Sequence, residues 1–349
     1  MSTTDAATGT LVALRFEQDT LWALDQTALP WSERELALRS AAEVADAIAR
    51  LAIRGAPLIG VAAGYGVALE LTREQTPAAL ERAVDTLKRS RPTAVNLAWA
   101  VDRVVGAATA GGGVSADAAL TQARAIDAGE RAASDAMAAH GADFLPGARR
   151  VMTHCNTGAL AAPGRGTALA VVAELAARGR LEHVLATESR PLLQGARLTV
   201  YELRRLGIAH QLIADSAAAG LIAAGAVDAV LVGCDRVAAN GDVANKVGTY
   251  GLALAAGAAG IPFVVVGPTS TVDPVCPSGV EIVIEQREPA EVVHAAANGG
   301  PAQLAPDGTD CRNPAFDVTP AALVSALVTE RGVVTNPGRE TIAAMLGSR

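Results

Sequence analysis

The chain has 349 residues, half of them hydrophobic and 3% aromatic, with a net charge of −7. That length can bury a large core and sets two domains as the natural expectation, and the composition is globular rather than disordered. The acidic balance, with no basic cluster to neutralise a run of phosphates, excludes nucleic acid as a partner, and no apolar run reaches the roughly 18 uncharged residues of a membrane span.

The N-terminal MSTTDAATGT lacks a basic-then-apolar signal profile, so the expected location is cytoplasmic. LVALRFEQDTLWALDQ predicts two short strands around a turn at Gln18-Asp19. Helices follow. Ser40 and Glu43 have capping-box spacing before VADAIARLAI, Pro57 stands at a helix start in RGAPLIGVAAGYGVALEL, and AVNLAWAVDRVV makes a third helix. Gly111 to Gly113 break the pattern, and Ser115 then caps a long helix through Met137. The domain boundary is expected there, with a mainly helical N-terminal domain carrying a short antiparallel sheet at 1–117 and a second domain at 118–349.

From about residue 148 apolar strand-like runs (RRVMTHC, HVLATES, HQLIADS, AVLVGCD, PFVVVGP) alternate with helical ones (GTALAVVAELAARG, GARLTVYELRRLG, AAAGLIAAG, TYGLALAAGAAG). This is βαβ grammar and predicts an α/β fold with a Rossmann-like parallel sheet covered by helices. AAANGGPAQLAPDGTDCRNPAFD reads as a long loop, and TPAALVSALVTERG as the last helix. Polar residues follow the strand ends: Cys155-Asn156, Glu188-Ser189-Arg190, Asp215-Ser216, Asp235-Arg236 and Thr269-Ser270. Open α/β sheets bind ligands at that edge.

The four cysteines (155, 234, 276 and 311) form no CxxC pair and read as free thiols, with no zinc site. Gly164 and Gly166 give GxG without the third glycine of a dinucleotide fingerprint. Asp235 leaves a buried strand, where desolvation can raise a carboxyl pKa enough to make it a proton donor; alternatively it caps the next segment or pairs with Arg236. Cys155 is either a small buried hydrophobe or a thiol at the sheet edge. His154, its strand neighbour, points to the opposite face and makes a poor base for it. Arg54 precedes Gly55 and Ala56 at a helix N-terminus, Arg91 repeats the arrangement, and Lys246 shares with Lys88 the distinction of being lysine in a chain with 29 − 2 = 27 arginines. Each alone reads as a surface charge; together they suggest a small anionic ligand.

The segments LDQTALPW, RGAPLIGVAAGYG, RPTAVNLAWA, THCNTGALA, ATESRPLLQGARLTVYEL, GCDRVAANGDVANKVGTYGLA and NPAFDVTPAALVSALVTERG resemble the methylthioribose-1-phosphate isomerase family almost end to end. That family also holds ribose-1,5-bisphosphate isomerases and regulatory subunits of the eukaryotic translation initiation exchange factor. The resemblance implies Cys155 and Asp235 as the catalytic pair and Arg54, Gly55, Ala56, Arg91, Gln194, Asn245 and Lys246 as substrate ligands. It implies a sugar-phosphate substrate, a homodimer, and no cofactor or metal. The rivals are an isomerase of ribose 1,5-bisphosphate or 5-deoxyribose 1-phosphate, and a non-catalytic exchange-factor-like subunit. Two departures stand out: Cys234 occupies a position where the family more often has alanine, and Ser189 replaces a usual threonine.

Overall fold

The structure, a computed structural model, describes residues 11–92 and 94–347, so the decapeptide read above for a signal profile lies outside the described residues. Contacts divide the chain into two units. One comprises the chain up to Asp135 together with Ala159–Gly166, and the other Ala136–Gly158 and everything from Thr167 onward.

The first unit opens with β1 (Leu14–Glu17), β2 (Thr20–Leu24) and β3 (Glu35–Leu38) in an antiparallel sheet of that order. The β1–β2 turn falls at the predicted place, with Gln18 and Asp19 at φ 49 and 51, the left-handed pair that a tight hairpin needs. Helix α1 (Ala41–Ala49) is capped by Ser40, whose Oγ accepts the Glu43 N–H at 3.2 Å. Then come α2 (Ala56–Arg73), α3 (Pro77–Ser90), α4 (Val95–Thr109) and α5 (Ala116–Phe144), the last running beyond the predicted Met137 and belonging to the second unit from Ala136 onward. Helix α3, not predicted, was legible: Thr76 caps it and Ala79, Leu80, Ala83 and Leu87 form one buried stripe. Helix α2 is buried on nearly every side, and glycines let its neighbours close in. A Cβ on Gly60 would lie 2.8 Å from the Asn96 carbonyl oxygen of α4, and Gly64 faces Val104.

In chain order the second unit carries β4 (Arg150–Thr153), α6 (Ala168–Ala177), β5 (His183–Thr187), α7 (Val200–Arg205), β6 (His210–Ile213), α8 (Ala218–Ala223) and β7 (Ala229–Val232). Next are β8 (Arg236–Ala238), β9 (Val243–Lys246), α9 (Thr249–Ala259), β10 (Phe263–Val266), β11 (Val272–Asp273), α10 (Ala290–Val293), β12 (His294–Ala295) and β13 (Ala302–Gln303). The chain finishes with β14 (Phe316–Thr319), β15 (Ala326–Thr329), β16 (Gly332–Thr335) and α11 (Arg339–Gly347).

The expected parallel sheet forms with order β16-β15-β10-β7-β4-β5-β6, parallel throughout except for β16. Its central strands β7 (AVLV) and β10 (FVVV) are buried at every residue, so they read as unbroken apolar runs rather than alternating ones. A second sheet, β11-β8-β9-β14, has no counterpart in the sequence reading.

TPAALVSALVTERG is not a helix. It gives a 3₁₀ turn at Ala321–Leu323 and then β15, because ALVT is buried on both faces and joins the sheet beside β10. Short apolar runs carry no period of their own, and pairing with β10 on one side and β16 on the other decided this one. No helix among the described residues is long and apolar enough to cross a membrane.

Candidate active site

Strands β4 and β7 are parallel neighbours, with Thr153 level with Leu231. Cys155 follows two residues after the first and Asp235 four after the second, so both leave the carboxyl edge of the sheet from adjacent strands. Asp235 also begins a second ladder. Its N–H donates to Ala244 O at 2.9 Å, the same residue that Arg236 faces in the β8–β9 register. Arg236 forms an ion pair with Asp273 at 3.7 Å.

Lys246 ends β9. It is buried, its Nζ donates to Ala315 O at 2.7 Å, and it lies 4.8 Å from the centre of the Phe316 ring. The other lysine, Lys88, pairs with Asp102 on the surface and has the ordinary role. Asn245 is buried with its Nδ2 donating to Thr249 Oγ1, whose own proton goes to Lys246 O. Asp317, level with Asn245 on β14, accepts the N–H groups of Gly248 and Tyr250 where α9 begins. Burial pushes the Asp317 carboxyl up, against the pull of those two amides and of Lys246.

Cys155 adopts a left-handed backbone, φ 63. Its N–H donates to Ser189 Oγ at 2.8 Å, and its carbonyl accepts the Thr199 hydroxyl at 2.6 Å. Thr199 closes a π-helical turn, Gly195–Thr199, that runs into α7. Gln194 precedes that turn, and its buried Oε1 has no hydrogen-bond partner among the described residues. A buried unpaired acceptor is costly, which marks this amide as one that a ligand donor can satisfy. Thr199, Glu202 and Gly195 were missed by sequence reasoning. Asn156 Nδ2 donates to Glu202 Oε1 at 2.7 Å, and no sequence signal joins residues 46 positions apart.

His154 is buried, and both ring nitrogens are engaged, Nδ1 with Thr187 Oγ1 at 2.6 Å and Nε2 with Val247 O at 2.8 Å. A carbonyl only accepts, so the ring proton is on Nε2 and Nδ1 receives the Thr187 hydroxyl. Neither nitrogen is left to act as a base for Cys155. Burial lowers the His154 pKa below its ordinary 6.5, so the unfolded chain binds a proton that the folded ring refuses. Stability attributable to this group is therefore intact above about pH 6.5 and declines as the pH falls below it. Thermal unfolding followed from pH 7.5 to 5.5 should show that decline, with a shallower slope in His154→Gln; equal slopes would remove His154 as the cause.

The Cys234 thiol is buried against Thr271 Oγ1 at 3.3 Å, and burial pushes its pKa up to about 12. A thiol needs its thiolate form to react. Alkylation of the native protein at pH 8 should mark the half-exposed Cys155 and Cys311 and leave Cys234 intact, as read by peptide mass spectrometry. Early label on Cys234 would contradict this burial.

In the first unit, Gly55 precedes α2 with φ 101, and a Cβ there would meet the Ala161 carbonyl oxygen at 2.4 Å. Only glycine fits. Leu58 N–H donates to that same carbonyl and Pro57 has no N–H, so Gly55 and Ala56 carry the amides at this helix end that the helix itself does not use. Arg54 stands just before them. Since Gly60 meets Asn96 and Gly64 meets Val104, α2 and α4 run in the same direction. Arg91, a half-buried residue ahead of α4, therefore shares an end of this helix pair with Arg54.

A parallel sheet with a thiol and a carboxylate following adjacent strand ends defines an α/β protein of the kind that binds ligands at the carboxyl edge of its sheet. Residues 52–336 match the Initiation factor 2 subunit family, and the chain belongs to it. It is 50% identical to methylthioribose-1-phosphate isomerase of Anaeromyxobacter dehalogenans (strain 2CP-C) over 95% of this chain and 96% of the relative. It is 49% identical to the protein of the same name from Methylococcus capsulatus (strain ATCC 33009 / NCIMB 11132 / Bath) over 98% and 97%. Among solved structures, 5-methylthioribose 1-phosphate isomerase from Pyrococcus horikoshii OT3 matches with a TM-score of 0.88 at 37% identity, over 99% of both chains. The translation initiation factor eIF-2B, subunit delta, from A. fulgidus matches with a TM-score of 0.83 at 36% identity, over 97% of this chain and 100% of that one.

Proposed function

We propose that the chain is an aldose–ketose isomerase that converts 5-methylthioribose 1-phosphate to 5-methylthioribulose 1-phosphate in methionine salvage. The observation that carries this reading is the near-full-length identity, about half of all positions, to relatives bearing that name. Cys155 and Asp235, leaving adjacent strand ends, support their assignment as the reacting pair.

A furanose phosphorylated at C1 cannot open by itself, because the anomeric oxygen is esterified. Asp235 donates a proton to the ring oxygen, and the C1–O bond breaks with its electrons going to that oxygen. The hydrogen on C2 then moves to C1 while the C2 hydroxyl gives its proton to the Asp235 carboxylate, which restores the acid, and the C2–O bond becomes the ketone. Cys155 assists that transfer, either by carrying a proton or by standing beside a direct hydride shift. Lys246, Arg54 and Arg91 hold the phosphate, with Gly55, Ala56, Gln194 and Asn245 as further ligands. Arg91→Ala should mainly raise KM, because phosphate is contacted equally before and at the barrier; an unchanged KM would remove Arg91 from the ligand set. In heavy water, label at C1 of the product would mark the proton route, and its absence the hydride route.

The reading extends to a cytoplasmic homodimer that uses no cofactor or metal, and a sedimentation mass twice that of one chain tests the dimer. The likeness to an eIF-2B subunit keeps a non-catalytic binding role as the second reading. Comparing kcat/KM on 5-methylthioribose 1-phosphate, ribose 1,5-bisphosphate and 5-deoxyribose 1-phosphate decides. Preference for the first supports the proposal, preference for another changes the substrate, and inactivity on all three favours the binding role.

A further inference from the structure

Cys155 and Ser189 both have φ 63, a conformation that glycine and asparagine adopt readily and that costs other side chains energy. Surroundings must hold them there. For Cys155 the holding groups are two buried hydroxyls, one at each end of the residue: Ser189 Oγ takes its N–H, and Thr199 Oγ1 donates to its carbonyl. Ser189 is held in turn, its N–H bonded to Asp215 Oδ1 at 2.7 Å while the Arg190 N–H takes Oδ2 at 2.7 Å. The ends of β6, β5 and β4 are thus pinned one to the next, and Cys155 is the last link.

Proton bookkeeping gives this arrangement a direction. Because the Thr187 hydroxyl donates to His154 Nδ1, the contact between Ser189 Oγ and Thr187 Oγ1 at 3.1 Å has Ser189 as its donor, with Thr187 O at 3.4 Å as a second acceptor. Thr187 passes its proton to His154 Nδ1, and His154 donates from Nε2 to Val247 O, the residue after Lys246. On the other side, Thr199 has a single hydroxyl proton, committed to Cys155 O, and accepts from Asn156 Nδ2 at 3.3 Å. Each hydroxyl has one donor role and fills it, so removing one leaves its partner unsatisfied in a dry place.

We propose that Ser189 and Thr199 are positioning residues for the reaction: together they clamp the Cys155 backbone in its left-handed form and so fix the direction of the thiol. This rests on Cys155 acting in the isomerisation. Substrate ligands fix where the sugar lies, whereas this clamp fixes where the thiol points. Its loss therefore appears in kcat and spares KM.

The test compares Thr199→Val, which keeps the volume and deletes the hydroxyl, with Thr199→Ser, which keeps the hydroxyl, alongside Cys155→Ala. A misplacement near 1 Å costs about 100-fold in rate, so Thr199→Val should lose about 10- to 100-fold in kcat at unchanged KM. Thr199→Ser should stay within about 3-fold of the unaltered protein, since its hydrogen bonds survive. The rate at which iodoacetamide modifies Cys155, referred to Cys311 in the same sample, should change in the valine variant and not in the serine one. Thr199→Val with full kcat and an unaltered Cys155 labelling rate overturns the clamp, as does Thr199→Ser impaired as deeply as the valine form. If Thr199→Val fails to fold, Ser189→Ala takes its place with the same expectations. An active Cys155→Ala defeats the catalytic reading of Cys155 instead, and the labelling ratio still tests the clamp.

Discussion

Asp235→Asn is expected to slow turnover by about 100- to 10,000-fold, the usual contribution of a general acid or base, with KM nearly unchanged. Asparagine keeps the size and much of the hydrogen-bonding shape of aspartate but has no carboxyl proton to give. The backbone should not move, because the Asp235 N–H is tied to Ala244 O and the preceding strand, β7, is buried along its whole length. A loss in kcat at constant KM is therefore a loss of chemistry rather than of architecture. Steady-state kinetics on 5-methylthioribose 1-phosphate measures both terms. If the variant turns over within a few-fold of the unaltered protein, Asp235 does not donate the proton.

The second large effect is expected at Gly195, which no motif flagged. An added Cβ would lie 1.7 Å from the carbonyl oxygen of Thr187 and 2.9 Å from Ser189 Oγ. The first is main chain at the end of buried β5 and cannot rotate aside, so the π-helical turn must shift. Overpacking of this kind typically costs about 1–3 kcal/mol, and contact with backbone puts Gly195→Ala at the upper end. The turn also delivers Thr199 to Cys155, so activity should fall along with the unfolding temperature. Gly251→Ala is the control: it lies on the exposed side of α9 with nothing within 4 Å, and alanine there should add up to about 1 kcal/mol of stability. Equal unfolding temperatures for the two variants would mean that the Gly195 turn adapts.

What the sequence disclosed and what it withheld divide along physical lines. The five strands β4, β5, β6, β7 and β10 were legible because each is a short apolar run between helical stretches. Their order was not, since nothing local says that β7 inserts between β4 and β10, and that order is what brings Cys155 and Asp235 to adjacent strand ends. The candidate site residues were legible as types at strand ends and helix starts. The groups that orient them were not: Ser189 and Thr199 reach Cys155 across 34 and 44 residues, through hydroxyls that any surface loop also carries. Strand β15 was lost to a helical reading because an apolar run buried on both faces looks the same in either form. The second sheet was lost because β8 is three residues long and β11 two.

The short excursion Ala159–Gly166 limits how this chain can be taken apart. It belongs with the first unit although its sequence neighbours on both sides belong with the second, and the carbonyl of Thr157 receives the Thr167 N–H at 2.8 Å at its base. Gln26 Nε2 donates to Leu160 O at 2.7 Å, and Leu58 N–H to Ala161 O at 3.2 Å. A fragment ending at Asp135 would strip both donors of their acceptors and bare the α2 end at Gly55. No one scission yields two self-sufficient pieces; a minimal version of the first unit has to import those eight residues through an artificial tether, and the remainder needs a bridge where they were removed.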